Sequence, residues 1–308
     1  MLKKTEPPFS LPVQQKDQPD GQNSPGIKER TNGQKILKRF FSRKIAVIGT
    51  VILILFVLLA VFGDHLSPYT FTKPGKDRFS GPTAQHIFGT DKMGRDTFAR
   101  LIDGTRVTLV ISGGAVAIAM VVGAILGLLA GYCRGKTDII LSGFMDSLWA
   151  FPAIILAMAI TAALGGSVLN IIIAIGVCNV PDFFRIVRSR VITIREMEYV
   201  AGARAIGLSN SEIIFRYVLP NLRSTLIVQA TLTAAKAVLA EAGLSYLSLG
   251  VPLPRASWGT MLKEGFQEYT RTLWLSIFPG SFIMLLVLSL NFVGDGLRDA
   301  LDIRIRVD

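Results

Sequence analysis

The chain contains few of the residues that build catalytic or metal sites. Its 308 residues include 2 cysteines and 2 histidines. Cys133 and Cys178 are too few for a disulfide framework or a zinc cluster, and we interpret both as packing residues. His65 and His86 lie far apart, without a cysteine or another histidine at ligand spacing. We therefore predict that the chain binds no metal ion.

The sequence also lacks a set of residues that could act as a catalytic site. No Ser-His-Asp or Cys-His combination can be assembled, and the carboxylates are scattered among loops. The stretch 130–137 nearly matches a phosphate-binding loop, but it starts with alanine and follows an apolar run instead of a β-strand. We predict that this chain is not an enzyme, hydrolyses no nucleotide and binds no cofactor.

What the chain has in abundance is apolar sequence. Hydrophobic residues make up 50% of it, and the mean hydropathy is +0.47. Several apolar runs approach or exceed the roughly 20 residues that a transmembrane helix needs. We predict an all-α polytopic membrane protein with six transmembrane helices, the fourth of them short, at residues 45–62, 107–132, 139–164, 168–180, 226–249 and 273–293.

Basic residues near the ends of the apolar runs predict the orientation. Lys35, Lys38, Arg39, Arg43 and Lys44 precede the first run, and no basic residue follows it before Lys73. This pattern predicts a cytoplasmic N-terminus. Six spans then place the C-terminus and the polar segment 182–223 in the cytoplasm. The loop 63–105 carries basic residues although it must lie outside, so the assignment depends on the number of spans.

Composition also suggests how the chain is divided. Residues 1–34 are rich in Pro, Gln, Asn and Gly, so they bury too little apolar surface to offset the entropy of ordering, and we predict a disordered cytoplasmic tail. Residues 35–104 hold the first helix and an external loop, residues 105–296 a five-helix core, and residues 297–308 a cytoplasmic tail. The net charge of +11 gathers at cytoplasmic span ends, where topology and anionic lipid explain it without nucleic acid.

The polar segment 198–221 is patterned as two short helices. Good helix formers precede Gly207, which stands where a helix C-cap requires a positive φ. Ser209 and Glu212 then form a capping-box pattern that begins a second helix leading to Leu219-Pro220. We predict a helix, a glycine elbow and a second helix. An ordinary amphipathic loop would show the same local pattern.

Two further features concern the spans themselves. Small residues recur every four positions along the second span and predict a close helix crossing, with a partner inside or outside this chain: Ala115, Ala119, Gly123, Gly127 and Gly131. Asp146, Lys236 and Glu241 lie at membrane depth, where a charge costs about 2.5 to 3.5 kcal/mol. They either line a solute pathway or form polar contacts between helices. Lys236 and Glu241 do not share a helical face, so we do not expect them to pair.

The polar segment resembles the signature of the membrane subunits of ABC importers, Glu-Ala-Ala-x3-Gly-x9-Ile-x-Leu-Pro. Ala201-Gly202-Ala203, Gly207 and Leu219-Pro220 have this spacing. Ala201 replaces the family's Glu, Gly202 its Ala, and Tyr217 its Ile. The segments 88–114, 241–262 and 291–302 narrow the resemblance to the C-type permease subunit of dipeptide, oligopeptide and nickel importers. Together the similar segments span roughly residues 36–302.

The resemblance implies the transmembrane fold of a type I ABC importer in a bacterial plasma membrane. It implies as partners a second homologous permease, two cytoplasmic ATP-binding subunits that carry ATP and Mg²⁺, and an extracytoplasmic solute-binding protein. The solutes of this subfamily include dipeptides, longer peptides, glutathione-like compounds and nickel complexes, among which the sequence does not decide, and we favour short peptides. It also implies that the polar segment docks on an ATPase subunit through Tyr199, Val200, Ala201, Gly202, Ala203, Arg204, Ile206, Gly207, Leu219 and Pro220.

Two other functions compete with this interpretation. An ion-coupled secondary transporter also uses carboxylates at membrane depth, as Asp146 and Glu241 would be. It has no need of the polar cytoplasmic segment. A membrane-anchored scaffold would explain neither the glycine-lined span nor the buried charges.

Overall fold

The computed structural model describes residues 32–301, and these residues form helices without any strand. Most of the predicted disordered tail, residues 1–31, and the end of the predicted C-terminal tail, residues 302–308, lie outside the described residues. The last residues of the predicted N-terminal tail, from Asn32 onward, begin the first helix.

Eleven α-helices make up the described part of the chain. They are α1 Asn32–Ser42, α2 Lys44–Phe62, α3 Thr97–Cys133, α4 Gly135–Trp149, α5 Ala153–Leu164, α6 Val168–Arg195, α7 Glu198–Ala205, α8 Asn210–Ile213, α9 Leu219–Tyr246, α10 Trp258–Gln267 and α11 Trp274–Leu301. A 3₁₀ turn, Gly63–His65, follows α2, and a π-helical segment, Ile214–Val218, joins α8 to α9.

Five helical stretches are long and apolar enough to cross a membrane, and there are six spans if α4 and α5 count together as one. These two helices do not form the single straight span predicted at 139–164, because they meet at an angle of 88°. Pro152 explains the break. Its ring disfavours the helical conformation at Phe151, and it has no N–H to donate to the preceding turn.

Several helices extend beyond the apolar runs in the sequence. Helix α6 continues through Pro181 to Arg195, although the predicted span ends at residue 180. Its later half buries Phe184, Val187 and Val191 inside the protein and turns polar residues outward. In a helix with one apolar and one polar face, the hydropathy averaged along the sequence is low even though the helix continues. This is why the predicted span ended too early.

Helices α3 and α6 pack along much of their length and form the centre of the protein. A Cβ atom added to Gly123 would lie 2.8 Å from the carbonyl oxygen of Val180, and one added to Gly127 would lie 2.6 Å from that of Phe184. Side chains at these positions would push the two backbones apart. The partner of the small-residue strip is therefore α6 of the same chain.

The loop between α2 and α3 is tied to α10 by buried ion pairs. Arg95 Nε lies 2.6 Å from Asp91 Oδ2, and Arg100 Nη1 lies 2.7 Å from both Asp91 Oδ2 and Glu264 Oε2. Two basic residues of the predicted external segment 63–105, Arg95 in the loop and Arg100 in the first turn of α3, are thus neutralised inside the structure.

The two cysteines differ in their surroundings. Cys178 is partly buried, whereas Cys133 is exposed at the end of α3. The interpretation of Cys133 as a packing residue is therefore wrong.

Candidate coupling site and buried polar groups

The loop between α6 and α9, residues 196–218, contains the short helix α7 and ends it with a glycine cap. Gly207 has the predicted positive φ, +84°. Its N–H donates to the Arg204 carbonyl at 3.0 Å, and the Leu208 N–H donates to the Ala203 carbonyl at 3.1 Å. This pair of bonds is the Schellman arrangement, which satisfies the last carbonyl groups of a helix and turns the chain sharply.

One face of α7 is packed into the protein. Val200 and Ala203 are buried among apolar side chains from the ends of α3, α6 and α9 and from the segment that joins α8 to α9: Tyr132, Val187, Val191, Ile194, Ile213, Val218 and Leu222. Because α3, α6 and α9 all contribute to this cluster, α7 cannot move without moving their ends. Val200 and Ala203 therefore attach the helix and do not reach its surface.

The opposite face of the loop is open. Tyr199, Ala201, Gly202, Arg204 and Ile206 are exposed, as is Gly207, whereas Leu219 is partly buried and Pro220 exposed. Ile206 and Phe215 stand out, because they are apolar yet 77% and 69% exposed.

Tyr132, at the end of α3, anchors the loop, and sequence reasoning missed it. Its hydroxyl donates to Asn210 Oδ1 at 2.8 Å. The guanidinium groups of Arg195 and Arg204 lie 5.5 and 5.7 Å from its ring centroid. Arg195 also donates to the Tyr132 carbonyl. A tyrosine at the end of an apolar run gives no signal of these contacts, because their partners lie far along the chain.

The second half of the loop begins as predicted, with a capping box. The Ser209 N–H donates to Glu212 Oε2 at 2.8 Å, and the Glu212 N–H donates to Ser209 Oγ at 3.3 Å. The helix then widens into the π segment just before Pro220, which cannot donate a backbone hydrogen bond. Asn221 Nδ2 donates to the Tyr217 carbonyl at 2.6 Å. Short π segments of this kind occur frequently at functional sites.

Asp146 and Lys236 are both paired, with partners that the sequence did not reveal. Arg185 Nη2 lies 2.7 Å from Asp146 Oδ1, and Lys236 Nζ lies 2.8 Å from Asp182 Oδ2. Trp149 stands between the two pairs. The guanidinium carbon of Arg185 lies 3.9 Å from the centroid of the Trp149 ring. The Nε1–H of Trp149 donates to Asp182 Oδ1 at 3.3 Å.

Glu241 has a different setting from these two residues. It is fully buried between α3 and α9, where Thr108 Oγ1 donates to Oε2 at 3.0 Å and Ser245 Oγ donates to Oε1 at 2.8 Å. Its described partners are hydroxyl groups, and no cation is among them. This is the geometry of a polar contact between helices, the second of the two interpretations of the membrane-depth charges.

Comparison with known proteins identifies the family. Residues 123–307 match the family described as binding-protein-dependent transport system inner membrane component. Residues 31–82 match the N-terminal transmembrane domain of oligopeptide transport permease C. The chain belongs to this permease family. It is a membrane-spanning transport subunit of an ABC importer and not an enzyme, since the ATPase activity of such importers resides on separate subunits.

Three individual permeases are similar in sequence to this chain over most of their length. The dipeptide transport system permease protein DppC of Alkalihalophilus pseudofirmus is 45% identical over 87% of this chain and 89% of that protein. The oligopeptide transport system permease protein OppC of Bacillus subtilis is 37% identical over 87% of this chain and 88% of that protein. The glutathione transport system permease protein GsiD of Pectobacterium atrosepticum is 35% identical over 90% of this chain and 93% of that protein.

A solved structure supports the fold. The inward-facing MetNI methionine ABC transporter contains a chain that matches with a TM-score of 0.53 and 20% identity, covering 64% of this permease and 93% of that chain. The permease thus has the transmembrane fold of a type I ABC importer. The family gives no support to the rival assignment as an ion-coupled secondary transporter.

Proposed function

We propose that this permease imports short peptides as one of two homologous membrane subunits of an ATP-driven transporter. Three of its relatives are named as dipeptide, oligopeptide and glutathione permeases, and all three solutes are short peptides. Two cytoplasmic subunits that bind ATP and Mg²⁺ and an extracytoplasmic solute-binding protein complete the complex. Both termini of this chain lie in the cytoplasm of a bacterial cell, and residues 105–296 form the permease core.

The two-sided construction of α7 carries this proposal. Its outer face, with Tyr199, Ala201, Gly202, Arg204 and Ile206, contacts an ATPase subunit. Its inner face, with Val200 and Ala203, is packed against the ends of α3, α6 and α9. Close-packed interiors transmit displacement with little compression. A movement of the ATPase subunit is therefore passed to three long helices through a few buried contacts.

Gly207, Leu219 and Pro220 have a supporting role in this proposal. Gly207 turns the chain after α7, and Leu219 and Pro220 lead it back into α9. None of these three needs to touch the ATPase subunit. Asp146 and Lys236 belong to the solute path, whereas Glu241 joins two helices.

Transport by the reconstituted complex tests the function. The permease, its partner permease, the ATPase subunits and the binding protein are placed in lipid vesicles, and uptake of a radiolabelled dipeptide is measured. We expect uptake that requires both ATP and the binding protein. Uptake driven by a proton gradient without ATP would contradict the proposal.

Cross-linking tests the docking surface. In a Cys133→Ser, Cys178→Ser background, Ile206→Cys should cross-link to a cysteine placed on the contact surface of the ATPase subunit. Lys76→Cys, also exposed but in the loop between α2 and α3, is the control and should not. A cross-link from Lys76→Cys and none from Ile206→Cys would contradict the predicted orientation, because it would place the loop between α2 and α3 in the cytoplasm.

A further inference from the structure

Three ion pairs line one side of α6, at residues 182, 185 and 188. Asp182 pairs with Lys236 of α9, Arg185 with Asp146 of α4, and Arg188 with Asp138 of α4. Residues three apart on a helix are about 4.5 Å apart along its axis. The charges therefore form a continuous row that begins near the middle of α6 and runs towards its C-terminal end.

Two cavities lie along this row. The first, of about 590 Å³, lies where α4 and α5 bend apart, and its polar lining consists of Trp149, Asn179, Asp182 and Lys236. The second, of about 420 Å³, is lined by Ser142, Asp146, Phe184, Arg185 and Arg188. Trp149 of the first cavity and Arg185 of the second are stacked on each other.

The outer members of two of these pairs are too exposed to serve only as contacts between helices. The side chains of Lys236 and Asp146 are 62% and 61% exposed. Charges at membrane depth are costly in contact with lipid, so this face must meet water or another protein. Glu241 shows the contrast, because it is fully buried and bonded to hydroxyl groups alone among the described residues.

We propose that this groove is a transit site for solutes that carry both a cationic and an anionic end. A free ammonium group exchanges with Lys236 at Asp182, and a free carboxylate exchanges with Asp146 at Arg185. Lys236 and Asp146, which the solute displaces, are the more exposed members of the two pairs, so water can hydrate them. The less exposed Asp182 and Arg185 keep an ionic partner throughout. Trp149 holds Asp182 and Arg185 in position while their partners change.

The proposal rests on the proposed peptide transport and adds a selective site within the permease itself. It predicts that peptides with free ends bind to the membrane complex in the absence of the binding protein. It also predicts that the two ends are recognised separately, the ammonium group by Asp182 and the carboxylate group by Arg185.

Direct binding tests the proposal. The assembled complex of permeases and ATPase subunits is placed in lipid nanodiscs without the binding protein, and binding of a radiolabelled dipeptide is measured up to millimolar concentration. Unlabelled peptide with free ends should displace it. The N-acetylated and the C-amidated peptide should each displace it only at a concentration at least about tenfold higher. A tenfold difference corresponds to about 1.4 kcal/mol, which we assign to the loss of one ion pair.

Variants locate the site. Asp182→Asn and Arg185→Gln should each weaken binding of the free peptide about tenfold or more, because each removes the residue that binds one end of the solute. In Asp182→Asn the N-acetylated and free peptides should compete equally, because the contact that acetylation removes is already absent. The matched control is Asp299→Asn, which breaks the exposed Arg43–Asp299 pair outside the groove and should bind like the parent.

Three results would overturn the inference: no binding to the parent complex, equal competition by free and blocked peptides, or parent-like binding by both groove variants. Failure of both variants to assemble with the partner permease, with Asp299→Asn unaffected, would show instead that the groove is a contact between permeases. Loss of the proposed function is distinguishable, because the complete parent complex would then show no ATP-dependent peptide uptake.

Discussion

Tyr132 at the end of α3 and Asn210 at the start of α8 are joined by a hydrogen bond of 2.8 Å between the tyrosine hydroxyl and Asn210 Oδ1. Tyr132 itself belongs to the apolar cluster in which α7 packs. The contact between Tyr132 and Asn210 closes the α6–α9 loop onto the membrane-spanning part of the permease. It makes Tyr132 a residue through which movement of the loop reaches α3.

Tyr132→Phe should weaken coupling while leaving the ring contacts in place. Loss of one hydrogen bond of this type costs about 0.5 to 1.5 kcal/mol. We expect ATP-dependent uptake to fall several-fold per assembled complex, with ATP hydrolysis less affected. Tyr246→Phe is the control, since the Tyr246 hydroxyl has no hydrogen-bond partner within residues 32–301. Equal uptake by both variants and the parent would show that the contact with Asn210 carries no coupling.

Gly207→Val should disrupt the end of α7 through backbone strain alone. Gly207 has φ +84°, and a Cβ atom there would meet nothing within 4 Å, so no steric clash contributes. The left-handed region costs an ordinary residue roughly 1 to 2 kcal/mol and a β-branched residue more, whereas Asn tolerates it. We therefore expect uptake to drop in Gly207→Val and to persist in Gly207→Asn.

A second glycine separates local strain from general instability. Gly165 has φ +86° with equally open surroundings, but it lies in the turn between α5 and α6. Gly165→Val should leave the cross-link between Ile206→Cys and the ATPase subunit intact, and Gly207→Val should reduce it. Loss of the cross-link in both variants would mean that the effect at Gly207 is not local.

Gly127→Ala should destabilise the packing of α3 on α6. The added methyl group would lie 2.6 Å from the Phe184 carbonyl oxygen, and backbone cannot give way as a flexible side chain can. Overpacking of this kind costs about 1 to 3 kcal/mol. Thermal stability of the purified permease should fall, and the Gly123→Leu, Gly127→Leu double variant should fail to assemble. Gly113→Ala, in the same helix but with nothing within 4 Å, should be as stable as the parent.

Glu241→Gln should be nearly silent in transport. Thr108 and Ser245 donate to different carboxylate oxygens, so the amide oxygen of glutamine accepts one of these hydrogen bonds and its NH₂ group donates to the other hydroxyl group, which can also accept. No cation among the described partners depends on the charge. Glu241→Ala leaves those two buried hydroxyl groups without an acceptor, at about 1 to 3 kcal/mol. We expect reduced assembly for the alanine variant, measured as the yield of complex. A strong transport defect in the glutamine variant would instead indicate an ionised Glu241 with a function of its own.

Local sequence determined the helical class, the approximate spans, the glycine cap at residue 207 and the capping box at Ser209, and its motifs pointed to the permease family. These features depend on hydropathy along a run, on backbone conformations open to single residue types, and on hydrogen bonds within one turn. Each is decided by residues a few positions apart. The 88° bend between α4 and α5 belongs in part to this class, since Pro152 marks the position of the break but not its angle.

Only the tertiary structure decided which residues face each other. It assigned α6 as the partner of Gly123 and Gly127, turned Val200 and Ala203 inward, and paired Asp146 with Arg185 and Lys236 with Asp182. It also separated Glu241 from the two exposed charges. Pairings between distant segments depend on how helices cross and rotate when they pack, and a single helix contains no information on the face that its neighbour will present.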